Sequence, residues 1–142
     1  MSFLLDTCVV SEFTKRRADP RVIEWIALHD ESALFLSEVT VGELEKGLSK
    51  LPDGARQKRL RAFIEVEIFE RFHERILPVD LRTWRRWGAM TGSREREGKP
   101  LPVLDALLAS TAWLHGLSLV TRNERDFTDL GVRLVNPWGS AA

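Results

Sequence analysis

Phe3-Leu4-Leu5-Asp6-Thr7-Cys8-Val9-Val10 is the stretch that decides the fold. An apolar run without polar alternation, Phe3 to Leu5, reads as a short strand buried on both faces. It ends at Asp6, and Val9 to Lys15 then reads as a helix with Thr7 as its N-cap. A buried strand passing directly into a helix is the start of a βα unit.

The same grammar recurs along the chain. Asp19-Pro20 starts a helix with Pro at its first position, and Val22, Trp25 and Ile26 give it an apolar face. Ala33 to Leu36 reads as a second strand. Ser37 caps the helix after it, which Val41, Leu44, Leu48 and Leu51 line on one side. Pro52-Asp53-Gly54 breaks that helix. A long amphipathic helix is expected from Ala55 to Glu74, with Leu60, Phe63, Ile64 and Ile68 inward. Ile76 to Val79 reads as a third strand, and Asp80 as the cap of a helix carrying Trp84 and Trp87. Pro102 opens a further helix through His115, stopped by Gly116. Leu117 to Thr121 and Gly131 to Val135 complete the strands. Strands separated by helices predict an α/β fold, a three-layer αβα arrangement around a central, mainly parallel five-stranded sheet.

The 142 residues suit one domain, with residues 138–142 expected as a disordered tail. Repeats, linkers and low-complexity segments are not evident. Lys plus Arg and Asp plus Glu both total 21, so net charge gives no hint of a nucleic-acid partner, although local clusters still can. The single cysteine, Cys8, allows no internal disulfide and fits a reducing cytoplasm. It reads as a small core residue rather than a nucleophile. The N-terminus lacks a basic region and a long apolar run, so no signal peptide is expected, and no segment is long enough to span a bilayer.

Four acids sit where a carboxylate is awkward. Asp6 ends the first strand, Glu43 interrupts a leucine-bearing helix, Asp105 is embedded in Leu101-Pro102-Val103-Leu104-Asp105-Ala106-Leu107-Leu108-Ala109, and Asp126 follows the fourth strand. A charge against apolar neighbours costs several kcal/mol unless something pairs with it. Each has an ordinary reading too: a cap or turn for Asp6 and Asp126, a surface pair with Lys46 or Lys50 for Glu43, a first-turn dipole partner for Asp105. Taken together, they fall beyond the carboxyl ends of strands, where open α/β sheets form their sites. A hard divalent cation is the economical partner for such a set, which points to a metal-dependent enzyme acting on phosphates.

With those residues in hand, the chain resembles the PIN-domain ribonucleases, in particular the VapC and FitB-like toxins of toxin–antitoxin pairs. The resemblance runs from Phe3 to Trp138. It is carried by Leu4-Leu5-Asp6-Thr7 with Ser11-Glu12, and by Ser37-Glu38-Val39-Thr40-Val41-Gly42-Glu43-Leu44 with Gly47. It continues in Leu104-Asp105-Ala106-Leu107-Leu108-Ala109, in Val120-Thr121-Arg122-Asn123-Glu124-Arg125-Asp126-Phe127, and in Val135-Asn136-Pro137-Trp138. It implies a single PIN domain over residues 1–142. It also implies an acidic cluster of Asp6, Glu43 and Asp105 holding Mg²⁺ or Mn²⁺, and cleavage of RNA phosphodiesters. On that reading Asp6 and Asp105 are the metal ligands, with Glu43 ligating directly or through water. Asp126 or Asn123 holds outer waters, and Thr7, Thr121 and Arg122 are accessory. Two positions depart from the family: Cys8 stands where many relatives have Asn, and Asn123 where the fourth acid often falls. Asp126 either substitutes for that acid or only structures the turn.

The resemblance further implies a homodimer, and an antitoxin that lays a helix or extended tail in an apolar groove and reaches DNA on the toxin's behalf. Arg122, after a strand at the acidic edge, is the strongest single candidate for contacting RNA. The competing enzyme readings fit less well. A haloacid dehalogenase-type phosphatase needs a second Asp at position 8, which is Cys8, and a receiver domain needs an acidic pair and a late Lys that are absent. The remaining alternative is a catalytically inactive PIN domain serving only as an antitoxin- and DNA-regulatory module.

Overall fold

β1, Phe3–Leu5, is the middle strand, and the rest of the molecule is built outward from it. In the computed structural model, which describes residues 1–139, β2 is Leu34–Ser37, β3 Ile76–Leu77, β4 Ser118–Val120 and β5 Leu134–Val135. They form one five-stranded sheet in the order β3-β2-β1-β4-β5. Every pairing is parallel, with Phe3 opposite both Leu34 and Ser118.

Six α-helices connect or flank these strands: α1 Thr7–Glu12, α2 Pro20–Ala27, α3 Glu38–Ser49, α4 Ala55–Ile64, α5 Leu81–Arg96 and α6 Val103–His115. The strand periodicity of two sorts the core into two halves. Phe3 and Leu5 join Leu34, Leu36, Val120, Val9, Val22, Leu44, Leu48 and Ile64 on one side. Leu4 and Leu119 join Met90, Leu107, Leu108 and Ala112 on the other. Helices on both faces give the three layers that the strand–helix alternation predicts. No helix among the described residues is long and apolar enough to cross a membrane.

Several boundaries differ from the sequence expectation, for physical reasons. The cap of α1 is Asp6 rather than Thr7: its carboxylate accepts from the Thr7 N–H at 2.7 Å, so the helix starts two residues earlier than expected. The expected helix from Ala55 to Glu74 is three pieces. α4 passes into a π-helical segment, Glu65–Glu70, and then a 3₁₀ turn, His73–Arg75. The core residues here are Leu60, Ile64, Ile68, Phe69 and Phe72, four of which form a stripe spaced by four. Such a stripe drifts by ~40° per step around an ideal α-helix, and a wider turn takes up the drift. Phe63 lies off that stripe and is 38% exposed instead of inward. Trp138, assigned to a disordered tail, is buried at 6% and packs in the first core half. Residues 140–142 of that expected tail lie outside the described residues.

The strand order reverses direction at β1. Chain connections run from β1 outward to β2 and β3, then return across to β4 and β5. The crevice beyond the carboxyl ends of β1 and β4 is therefore the switch point where open parallel sheets place their ligands.

Candidate active site

Two residues mark that crevice. Leu5 pairs with Val120, so the next residues, Asp6 and Thr121, emerge side by side, and the Asp6 N–H donates to the Val120 carbonyl at 2.9 Å. Both carboxylate oxygens of Asp6 are held. Oδ1 accepts the Thr7 N–H, and Oδ2 accepts the Thr121 hydroxyl at 2.7 Å. Thr121 Oγ1 in turn accepts the Asn123 N–H at 3.0 Å, which folds the chain after β4 back over the strand end. Asp6 is 6% exposed and Thr121 fully buried, so this is a rigid, preorganised carboxylate.

A second hydroxyl fixes Glu43. Thr7 Oγ1 donates to Glu43 Oε1 at 2.6 Å, joining the start of α1 to the second turn of α3. This replaces the surface pairing with Lys46 or Lys50 that the helix spacing allowed. Thr7 Oγ1 also lies 3.0 Å from the hydroxyl of Thr40, a fully buried residue that sequence reading did not single out. The signal was present, since Thr40 precedes Glu43 by three and shares its helix face.

Asp105 lies in the first turn of α6, whose cap position is Pro102 and carries no side-chain hydrogen bond. Half-buried against apolar neighbours, its carboxyl is pushed up from 3.8 to about 6, first by burial, then by the charges of Asp6, Asp126 and Glu43. The charges of the other three acids named from sequence, on three other segments, thus all reach Asp105. Asp126 sits exposed in the 3₁₀ turn Glu124–Phe127 after β4, next to that turn's buried Phe127. None of the four takes part in an ion pair among the described residues. Arg122 and Asn123 are exposed between Thr121 and that turn, and Arg122 lies 5.3 Å from the Trp138 ring centroid.

Cys8 lies on the same edge, 4.0 Å from Thr121 Oγ1. Burial first and the Asp6 charge second push its thiol up to about 11, so it stays protonated near neutrality and is inert as a nucleophile. It is half-buried against the first core half rather than fully enclosed.

No group of three or more His, Cys, Asp or Glu side chains among the described residues is drawn tightly enough to cage an ion. The donor chemistry nonetheless suits one. The set is all oxygen, has no ion pair among the described residues, and its charges add to burial in raising Asp105. A hard dication with oxygen preference, keeping several waters, needs only a few such side chains.

Comparison with known proteins agrees with this architecture. A family model described as "PIN domain" matches residues 3–132. The chain is 34% identical to VapC ribonuclease Y4jK of Sinorhizobium fredii over 138 residues, covering 97% of this chain and 99% of that one. It is 32% identical to toxin FitB of Neisseria gonorrhoeae over 135 residues, covering 95% and 97%. The solved structure of FitAB bound to an IR36 DNA fragment superposes with a TM-score of 0.91 at 29% identity, covering 99% of this chain and 98% of the other. With a matching family model over most of its length and full-length relatives above 30% identity, the chain belongs to the PIN-domain family, among its VapC- and FitB-like toxins.

Proposed function

We propose that this protein is a divalent-metal-dependent endoribonuclease, the toxin of a toxin–antitoxin pair, and that it cuts RNA phosphodiesters at the β1–β4 crevice. The observation that carries this is the convergence of the Asp6, Glu43 and Asp126 charges on Asp105, with no ion pair to any of the four among the described residues. Carboxylates brought together at a sheet's carboxyl edge are costly as structure near neutral pH, and a bound cation offsets that cost. Full-length likeness to a protein named VapC ribonuclease supports the same chemistry.

Asp6 and Asp105 would hold Mg²⁺ or Mn²⁺. When bound, the ion would lower the pKa of a coordinated water and offset charge on the phosphate undergoing attack. The chain's own groups do the rest. Thr121 and the Thr7 N–H fix both oxygens of Asp6, so it presents one geometry. Thr7 fixes Glu43 in reach of the same space. Asp126 fills the fourth acidic position left open by Asn123, supported by the charge it adds at Asp105. Arg122, exposed after β4, offers a cation to the RNA backbone at the edge of an otherwise acidic crevice.

The partner is an antitoxin, supported by likeness to FitB in the FitAB complex on DNA. Its seat is the apolar groove of about 260 Å³ whose lining includes Phe13, Ile26, Phe63 and Phe72. DNA is reached only through that partner, and the toxin pairs with a second copy of itself.

The test is RNA cleavage by the purified chain. Cleavage should require Mg²⁺ or Mn²⁺, stop with chelator, and vanish in Asp6→Asn and Asp105→Asn variants that retain native circular dichroism. Undiminished cleavage by either variant, or in chelator, would overturn the assignment.

A further inference from the structure

Thr7 Oγ1 has one proton and two neighbours. It lies 2.6 Å from Glu43 Oε1 and 3.0 Å from Thr40 Oγ1. A carboxylate has no proton to give, so the Thr7 proton goes to Glu43. The contact with Thr40 then has a fixed direction: Thr40 donates and Thr7 accepts. Thr40 is fully buried, and with Glu43 it lies at i and i+3 on α3.

We infer that Thr40 is a positioning residue for the proposed active site, orienting Glu43 through a two-hydroxyl relay, Thr40 to Thr7 to Glu43. The inference rests on the metal-dependent reading of the site. Without the Thr40 proton, Thr7 Oγ1 can turn about its Cα–Cβ bond and leave Glu43. With it, both ends of the Thr7 hydroxyl are engaged and the carboxylate has one orientation. Donation from Thr40 also polarises the Thr7 O–H, strengthening its bond to the carboxylate. The relay ties α1 to α3 across the sheet edge. It acts on Glu43 alone, because Asp6 has its own partners in Thr121 and the Thr7 N–H.

The test uses the full chain and titrates Mn²⁺ calorimetrically, with thermal melting as a control on the fold. Outer-shell partners of metal ligands typically cost about 10–100-fold in affinity when removed, and a relay one bond further out should cost about 3–10-fold. Thr40→Val, isosteric but without the hydroxyl, should weaken Mn²⁺ binding by that amount. Thr40→Ser, which keeps the donor, should restore it. In a Thr7→Val background, Thr40→Val should have no further effect on Mn²⁺ affinity, because its only route to Glu43 is already cut. Full additivity of the two substitutions, or Thr40→Ser behaving like Thr40→Val, overturns the relay and leaves Thr40 a packing residue. Glu43→Gln separates the two levels. If it leaves Mn²⁺ affinity unchanged, the role of Glu43 in the metal site fails. If it weakens binding while Thr40→Val does not, only the relay fails.

Discussion

Thr121 Oγ1 donates to Asp6 Oδ2 at 2.7 Å, joining the residue after β4 to the residue after β1, 115 positions apart in the chain. Parallel pairing of Leu5 with Val120 sets the two at the same height, and Thr121, fully buried, has no solvent to turn toward. Replacing it by Val keeps the volume and removes the donor. The buried Asp6 then loses one of its two bonds, and the Asn123 N–H loses its acceptor. Thr121→Val should lower stability by about 1–3 kcal/mol in urea unfolding and slow RNA cleavage by about 10–100-fold. Wild-type values on both counts would show that Asp6 is positioned by the backbone alone.

Asp105 makes stability depend on pH in the direction opposite to most native carboxylates. Its folded pKa, about 6, lies above the ordinary value of 3.8. The folded state therefore holds this proton more tightly than the unfolded state, and ionisation penalises the fold. The penalty is absent below 3.8, grows as pH rises toward about 6, and is complete above it. Asp105→Asn should thus melt higher than the parent at pH 8 in chelator, and the two should converge at pH 4. Mn²⁺ should raise the melting temperature of the parent at pH 8 and leave the variant nearly unmoved. A variant less stable than its parent at pH 8 without metal would contradict the crowding of charge.

The sheet was legible because its strands are apolar runs that end in turn or cap residues. Phe3 to Leu5 and Leu117 to Val120 admit no amphipathic helix, and the helices between them carry their own caps at Asp19, Ser37 and Asp80. Three of the four acids stood out for a related reason: Asp6, Glu43 and Asp105 interrupt or end an apolar pattern, whereas Asp126 lies in a polar turn and stood out only by its place after the fourth strand. Thr7 and Thr121 were named only through the family resemblance, and neither their contacts nor Thr40 could be read from spacing. Threonine is equally at home in a core, a cap or a network, and only the register of β1 against β4 and the approach of α1 to α3 bring Thr7, Thr40 and Thr121 to the carboxylates. The π-helical segment was hidden as well, because a stripe spaced by four fits an α-helix until its accumulated drift is counted.

None of the four acids lines the apolar groove, so the two can be probed by separate substitutions. Phe63 lines the groove, is 38% exposed, and packs in neither core half. A glutamate there adds charge to an apolar contact without emptying the interior. Phe63→Glu should weaken binding of the cognate antitoxin by at least about tenfold in a pull-down or titration, since a desolvated unpaired charge at an interface costs several kcal/mol. RNA cleavage by the free toxin should be unchanged. Loss of cleavage with antitoxin binding intact would place the partner elsewhere.

Asp126 and Asn123 compete for the fourth position, and their surroundings differ. The Asn123 N–H is committed to Thr121, while Asp126 adds to the charge felt by Asp105. A charge that reaches Asp105 also reaches a cation held by Asp105 and the waters around it. Asp126→Asn should therefore reduce cleavage by about 10-fold or more and shift the Mg²⁺ requirement upward, and it should lower the Asp105 pKa, read by carboxyl NMR titration. Asn123→Ala should change cleavage by less than about threefold, because its backbone contact survives. The double substitution Asn123→Asp with Asp126→Asn tests whether position matters or only charge. Recovery of cleavage in that variant would mean that the crevice accepts a carboxylate from either residue, and that this chain has moved its fourth acid along the turn without changing the chemistry.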